Sequence, residues 1–203
     1  MSDESSPEVL TGSQLADYIT RGARGDEAAC AVLFRYYYPQ VVRLCVGLLN
    51  DLEDAEEVAQ DTFVYALRNL ARYDSAKAEF RTWLFMIALS RCRNKRRRKW
   101  LASVPLDLLS VEPATPARLV ETLLERRGVR RQVWDALQQL PAQLQEAIVL
   151  RYLGGLRYNE VGRALKCNPK TAESRVRLGL TALRRTAQAL EIDCEMALAE
   201  LSA

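Results

Sequence analysis

Residues 157–185 read RYNEVGRALKCNPKTAESRVRLGLTALRR: an amphipathic segment, a four-residue break and a second, basic amphipathic segment. In the first, Val161, Ala164 and Leu165 recur at three- and four-residue spacing, so one helical face is apolar and the other polar. The break is Lys166-Cys167-Asn168-Pro169. Proline cannot continue a helix but fits the start of the next one, and Asn168 is a good N-cap in front of it. In the second segment Ala172, Val176, Leu180 and Leu183 supply a stripe to bury, and Lys170, Thr171, Glu173, Ser174, Arg175 and Arg177 supply short polar and basic side chains. Two readings fit. One is a helix-turn-helix whose second helix meets base edges and phosphates; the other is a plain αα-hairpin with a solvated charged face.

Outward from this unit, the 203 residues, 49% of them apolar, suffice for one large domain or two small ones. Glycine and proline are sparse, strand-like alternation is absent and long stretches carry the helical period, which predicts an all-α chain. Helices are expected over 13–24, 26–49, 52–69, 80–100, 117–140 and 142–153, besides the two just described. Residues 101–116 hold Pro105, Pro113 and Pro116 and break the pattern, so they read as a flexible linker. The expected architecture is two small helical domains, 26–100 and 117–186, flanked by an N-terminal segment 1–25 and a tail 187–203. The C-terminal domain carries the helix-turn-helix.

The net charge of +3 conceals an asymmetry: Arg91, Arg93, Lys95, Arg96, Arg97, Arg98 and Lys99 crowd one stretch, and acidic residues gather over 51–61. With no histidine, the commonest general base and metal ligand are missing. Five scattered cysteines with no CxxC pair signal neither a zinc site nor a dithiol centre and read as reduced core residues. No metal or cofactor is expected. The acidic, polar start of the chain and the lack of a long apolar run predict a cytoplasmic protein without membrane insertion.

Between Asp54 and Phe63, Ala55, Val58, Ala59 and Thr62 mark a buried stripe that leaves Asp54, Glu57, Gln60 and Asp61 outward. Such an acidic face is a solvated surface, a carboxylate site or a dock for a basic protein. Residues 73–84 then form a short polar loop entering an aromatic helix. Interleaved rings and cations suit single-stranded nucleic acid, although the spacing of Phe80, Trp83, Leu84 and Ile87 also suits a core. The basic run that follows is self-repelling without an anion; nucleic acid is the first expectation, with an anionic membrane surface or plain solvation as the alternatives.

Taken in order, Phe34-Arg35-Tyr36-Tyr37-Tyr38-Pro39, the segment 54–63, Phe80-Arg81-Thr82-Trp83-Leu84, Leu140-Pro141 and the helix-turn-helix resemble the motifs of bacterial sigma-70-type sigma factors of the extracytoplasmic-function class. The resemblance covers about residues 26–185. It implies a promoter-specificity subunit, not an enzyme, that binds core RNA polymerase and promoter DNA and is restrained by an anti-sigma protein. Docking on the largest-subunit coiled coil of polymerase would fall to Asp54, Glu57, Gln60, Asp61 and Phe63. The melted minus-ten element would meet Tyr73, Asp74, Lys77, Phe80, Arg81, Trp83, Ser90, Arg91, Arg93, Lys95, Arg97 and Arg98. The duplex minus-thirty-five element would meet Arg157, Tyr158, Glu160, Lys170, Thr171, Glu173, Ser174, Arg175 and Arg177. The linker would thread toward the polymerase cleft. Ser90, Asn94, Lys166 and Glu173 depart from residues frequent in the family, so a promoter sequence is not carried over. A dimeric duplex-binding regulator and a magnesium-dependent nuclease are the competing readings; the first has no need of an acidic docking helix and a melting loop, and the second lacks another ligand-bearing segment.

Overall fold

The first three helices each start where a short polar side chain takes up free backbone N–H groups. Helix α1 (Gly12–Ala23) opens in a capping box: Thr11 accepts from the Gln14 N–H, and the Gln14 side chain accepts from the Thr11 N–H at 2.9 Å. Asp26 caps α2 (Glu27–Leu49), accepting from the Ala28 and Ala29 N–H groups at 2.9 and 3.1 Å. Asn50 ends α2 in the left-handed conformation, and Asp51 starts α3 (Leu52–Arg68) by accepting from the Asp54 N–H at 2.9 Å. A 3-10 turn (Leu70–Arg72) and a polar loop lead into α4 (Phe80–Ala102). Beyond it come α5 (Val129–Gln138), α6 (Ala142–Ile148) running into a π-helical turn (Val149–Leu153), α7 (Tyr158–Leu165) and α8 (Pro169–Ala189).

The computed structural model describes residues 10–102 and 129–189, with side chains at 10–100 and 134–185. All regular elements in them are helical. Residues 103–116 of the expected linker, 117–128 of the helix expected to follow it and 190–203 of the tail lie outside the described residues; 101 and 102 continue α4, and 187–189 continue α8. The expected break between α7 and α8 is present. Asn168 Oδ1 accepts from the Thr171 N–H at 2.7 Å, and Ala172, Val176 and Leu183 are buried. A β-carbon on Gly162 would lie 2.8 Å from the Cys167 carbonyl oxygen, so only glycine lets the turn fold back this closely.

The N-terminal unit packs α2, α3 and α4 around Leu33, Leu44, Leu48, Phe85 and Leu89; the C-terminal unit closes over Ile148, Leu150, Leu156 and Leu183. The two units are docked, and their apolar residues form one continuous cluster. Gly47 on α2 permits the close approach, because a β-carbon there would run into the Leu153 side chain and come within 3.2 Å of Trp134 and Val149. The Gln145 side-chain amide donates to the carbonyls of Gly47 and Leu48 at 3.2 and 3.4 Å, and Asn50 donates to Asp135 at 3.0 Å.

Helix α4 organises the molecule. At about 100° per residue, positions 91, 95 and 99 share one face, 83, 87, 90 and 94 a second, and 82, 85, 93 and 96 a third. The first meets α3, the second lines an open groove and the third meets the C-terminal unit.

Candidate nucleic-acid and protein interfaces

Charge on α4 is largely neutralised within the chain. Arg91 reaches Asp61 at 3.4 Å, Lys95 reaches Glu57 and Asp54 at 2.5 and 3.2 Å, and Lys99 pairs with Asp54. Arg93 and Arg96 both bind Glu146, at 2.6 and 2.8 Å. The repulsion expected within the basic run is therefore relieved by carboxylates of the same protein. Arg97 and Arg98 are exposed and make no ion pair among the described residues. Hydrogen bonding to Asp54 holds the Lys99 ammonium above its ordinary pKa, and hydrogen bonding to Glu146 does the same for the Arg93 guanidinium.

The same ladder corrects the reading of the acidic helix. Asp54 does not face outward: it is 8% exposed and lies between two lysines. Phe63 is also buried, with ring centroids of Phe34 and Tyr38 at 4.9 and 6.0 Å, so no partner can reach it. It sits one helical turn beyond Ala59, and that spacing was the signal for its burial. Glu57, Gln60 and Asp61 remain exposed.

Across α4, Tyr65, Trp83, Met86, Ile87, Ser90, Arg91 and Asn94 line a groove of about 440 Å³. The Arg91 guanidinium lies 5.3 Å from the centroid of the exposed Tyr65 ring, a cation–π arrangement, and its Nε has no hydrogen-bond partner. Tyr65 and Met86 were not singled out in the sequence, and Ile87, whose spacing suits a core, lines the groove while packing half-buried against the core. Tyr65 was legible only through Arg91, 26 residues away in the chain. The loop before α4 holds itself together: Asp74 accepts from the Ala76 N–H at 3.0 Å and pairs with Lys77 at 3.1 Å, and those bonds, Lys77 first, hold its carboxyl below the usual range. Tyr73 donates to the Ala78 carbonyl at 3.1 Å, and Arg81 to that of Gly155 at 3.4 Å. Phe80 is a correction, since it is buried against Tyr37, Tyr73 and Trp83 with centroids 5.2 to 5.7 Å apart.

On the C-terminal unit, Arg157, Lys170, Glu173 and Arg177 are exposed, and Thr171, Ser174 and Arg175 are half-buried. Tyr158 is exposed beneath the Arg151 guanidinium at 5.2 Å. Glu160 is a further correction. It is buried, accepts from the Arg157 N–H at 2.8 Å to cap α7, and accepts from the Thr82 hydroxyl of α4 at 2.7 Å, so it faces no DNA in this arrangement. Among the described residues no helix is long and apolar enough to cross a membrane, and no three His, Cys, Asp or Glu side chains are grouped to hold a metal ion.

These surfaces fall within two family segments: Sigma-70 region 2 matches residues 33–102, and Sigma-70, region 4 matches residues 130–183. The ECF RNA polymerase sigma factor SigK of Mycobacterium tuberculosis is 32% identical over 85% of this chain and 92% of its own. The chain belongs to the ECF family of RNA polymerase sigma factors. The RNA polymerase sigma-H factor of Pseudomonas aeruginosa is 29% identical over 90% of this chain and 98% of its own. In fold, this sigma factor is similar to CnrH as solved in complex with the cytosolic domain of CnrY, with TM-score 0.62 and 22% identity over 85% of this chain and 96% of that one. It is likewise similar to RpoE of Bartonella quintana, solved with the anti-sigma factor NepR, with TM-score 0.57 and 22% identity over 76% of this chain and 94% of that one. The ECF sigma factor thus carries region 2 on α2, α3 and α4 and region 4 on α5 to α8, and it serves promoter-specific transcription initiation.

Proposed function

We propose that this sigma factor divides promoter reading between its two units: α8 reads the minus-thirty-five element as duplex, and region 2 holds the minus-ten element as a melted single strand. The groove between α3 and α4 carries the proposal. An exposed Tyr65 under Arg91, a half-buried Trp83 and the polar rim of Ser90 and Asn94 combine a stacking surface with cations. Bases stack on rings, and phosphates follow Arg91, Arg97 and Arg98. On α8, Arg175 and Arg177 with Thr171 and Ser174 suit a major groove, and Arg157 suits a phosphate. Core polymerase docks on the exposed acidic side of α3, through Glu57, Gln60 and Asp61, and an anti-sigma protein restrains the factor by covering these surfaces.

Equilibrium binding of the holoenzyme to two forms of one promoter tests this, one fully duplex and one with the minus-ten segment premelted. The premelted form binds more tightly, and the preference stays when the minus-thirty-five sequence is scrambled. Equal affinity for both forms would refute single-strand capture by region 2.

A further inference from the structure

One face of α4 is committed to region 4, and its chemistry is partly that of a nucleic-acid site. Thr82 donates to buried Glu160, and Phe85 packs where Gly154 leaves room, its ring 3.1 Å from the position a β-carbon would take. Further along, Arg93 binds Glu146 through Nε and Nη2 at 2.9 and 2.6 Å, and Arg96 adds 2.8 Å bonds to Glu146 and Gln145. Glu146 is 3% exposed, so this one carboxylate is buried between two guanidiniums. Region 4 also holds the polar loop, with Arg163 donating to the Lys77 carbonyl at 3.1 Å.

We propose that Glu146 is an internal stand-in for a DNA phosphate, latching region 4 onto region 2 in the free protein and keeping Arg93, Arg96 and the loop at Lys77 from nucleic acid. The inference rests on the promoter-binding function proposed above. A carboxylate and a phosphate make the same two-pronged bonds to a guanidinium, so the two compete for Arg93 and Arg96. A buried ion pair adds little net stability compared with apolar packing, but it fixes one docking geometry. That suits a contact that opens. An incoming phosphate backbone supplies the replacement anion, and the carboxylate released from the guanidiniums returns to water.

Glu146→Gln in the full chain tests the latch and leaves every proposed DNA-contacting side chain in place. Three readouts are taken: helix content by circular dichroism, radius of gyration by small-angle scattering, and affinity for a promoter duplex without polymerase. The variant keeps its helix content, expands, and binds duplex about fivefold or more tightly, the range of a modest coupling between sites. Should Glu146→Gln fail to fold, Gly47→Leu opens the same interface from its apolar side and gives the same expansion and gain. An unchanged radius, or expansion with no gain in duplex affinity, overturns the proposal. Scattering involves neither DNA nor polymerase, so a failed latch is distinguished from a failed promoter-binding function, which shows instead as no specific transcript from wild-type protein with core polymerase.

Discussion

Replacing Asp54 with alanine separates a structural carboxylate from a docking one. Asp54 has an 11% exposed side chain and accepts from Lys95 and Lys99; Lys95 is itself 20% exposed, whereas Lys99 is 57% exposed. Unit charges about 4 Å apart attract by about 4 kcal/mol at the effective dielectric of a protein surface. Most of this is offset by desolvation, and both lysines keep a second partner: Glu57 for Lys95, and Asp51 at 3.8 Å for Lys99. The loss therefore falls between an exposed pair, about 0–1 kcal/mol, and a broken buried pair, about 3–5 kcal/mol. We expect about 1–2 kcal/mol, or a drop of about 2–8 °C in melting temperature for a chain of this size. Asp61 makes one 3.4 Å contact from a 60% exposed side chain, so Asp61→Ala leaves the melt within about 0.5 kcal/mol of wild type. Thermal unfolding by circular dichroism, run beside a core-polymerase binding assay, reads both. Asp61→Ala weakens polymerase binding at unchanged stability. The reasoning fails if Asp54→Ala melts like wild type, or if Asp61→Ala melts lower by as much as Asp54→Ala is expected to.

Three further outcomes follow from the geometry. Arg175→Ala weakens promoter duplex binding by about 1–3 kcal/mol in a holoenzyme titration and leaves polymerase binding intact. Trp83→Ala lowers affinity for the premelted minus-ten strand by about 1–3 kcal/mol, the range for one stacked base, without changing affinity for an isolated minus-thirty-five duplex. Burial pushes the Tyr37 phenol up to about 12 from 10, so its proton is released more readily in the unfolded chain. Stability is full below pH 10 and falls by about 2–3 kcal/mol as pH rises to 12, and Tyr37→Phe removes that part of the alkaline loss in pH-dependent urea unfolding.

Helix positions were legible because their signals are local: Asp26 and Asp51 cap, Pro169 restarts, and Ala172, Val176 and Leu183 repeat. The turn at Lys166 shows the limit of such signals, since it adopts the left-handed conformation, φ 54°, where glycine is the easier residue. The sides of helices were harder to read. Periodicity gives the direction of burial when one face is covered, but α4 is covered by α3 on one face and by region 4 on another. Asp54, Phe80 and Glu160 are polymerase or DNA contacts by resemblance, and each is buried by a neighbour distant in sequence. Arg93 and Glu146 are 53 positions apart and Thr82 and Glu160 are 78 apart, so nothing local announces either pair. The groove was half legible for the same reason. Trp83, Ser90 and Arg91 lie on one helix, whereas Tyr65 comes from another.

Run-off transcription with purified core RNA polymerase, on a pooled genomic promoter library with and without the protein, tests the central claim most directly. The account predicts discrete new start sites that share a two-part upstream element and appear only when the protein is added. Duplex binding by the protein alone, with no new transcript, would contradict it.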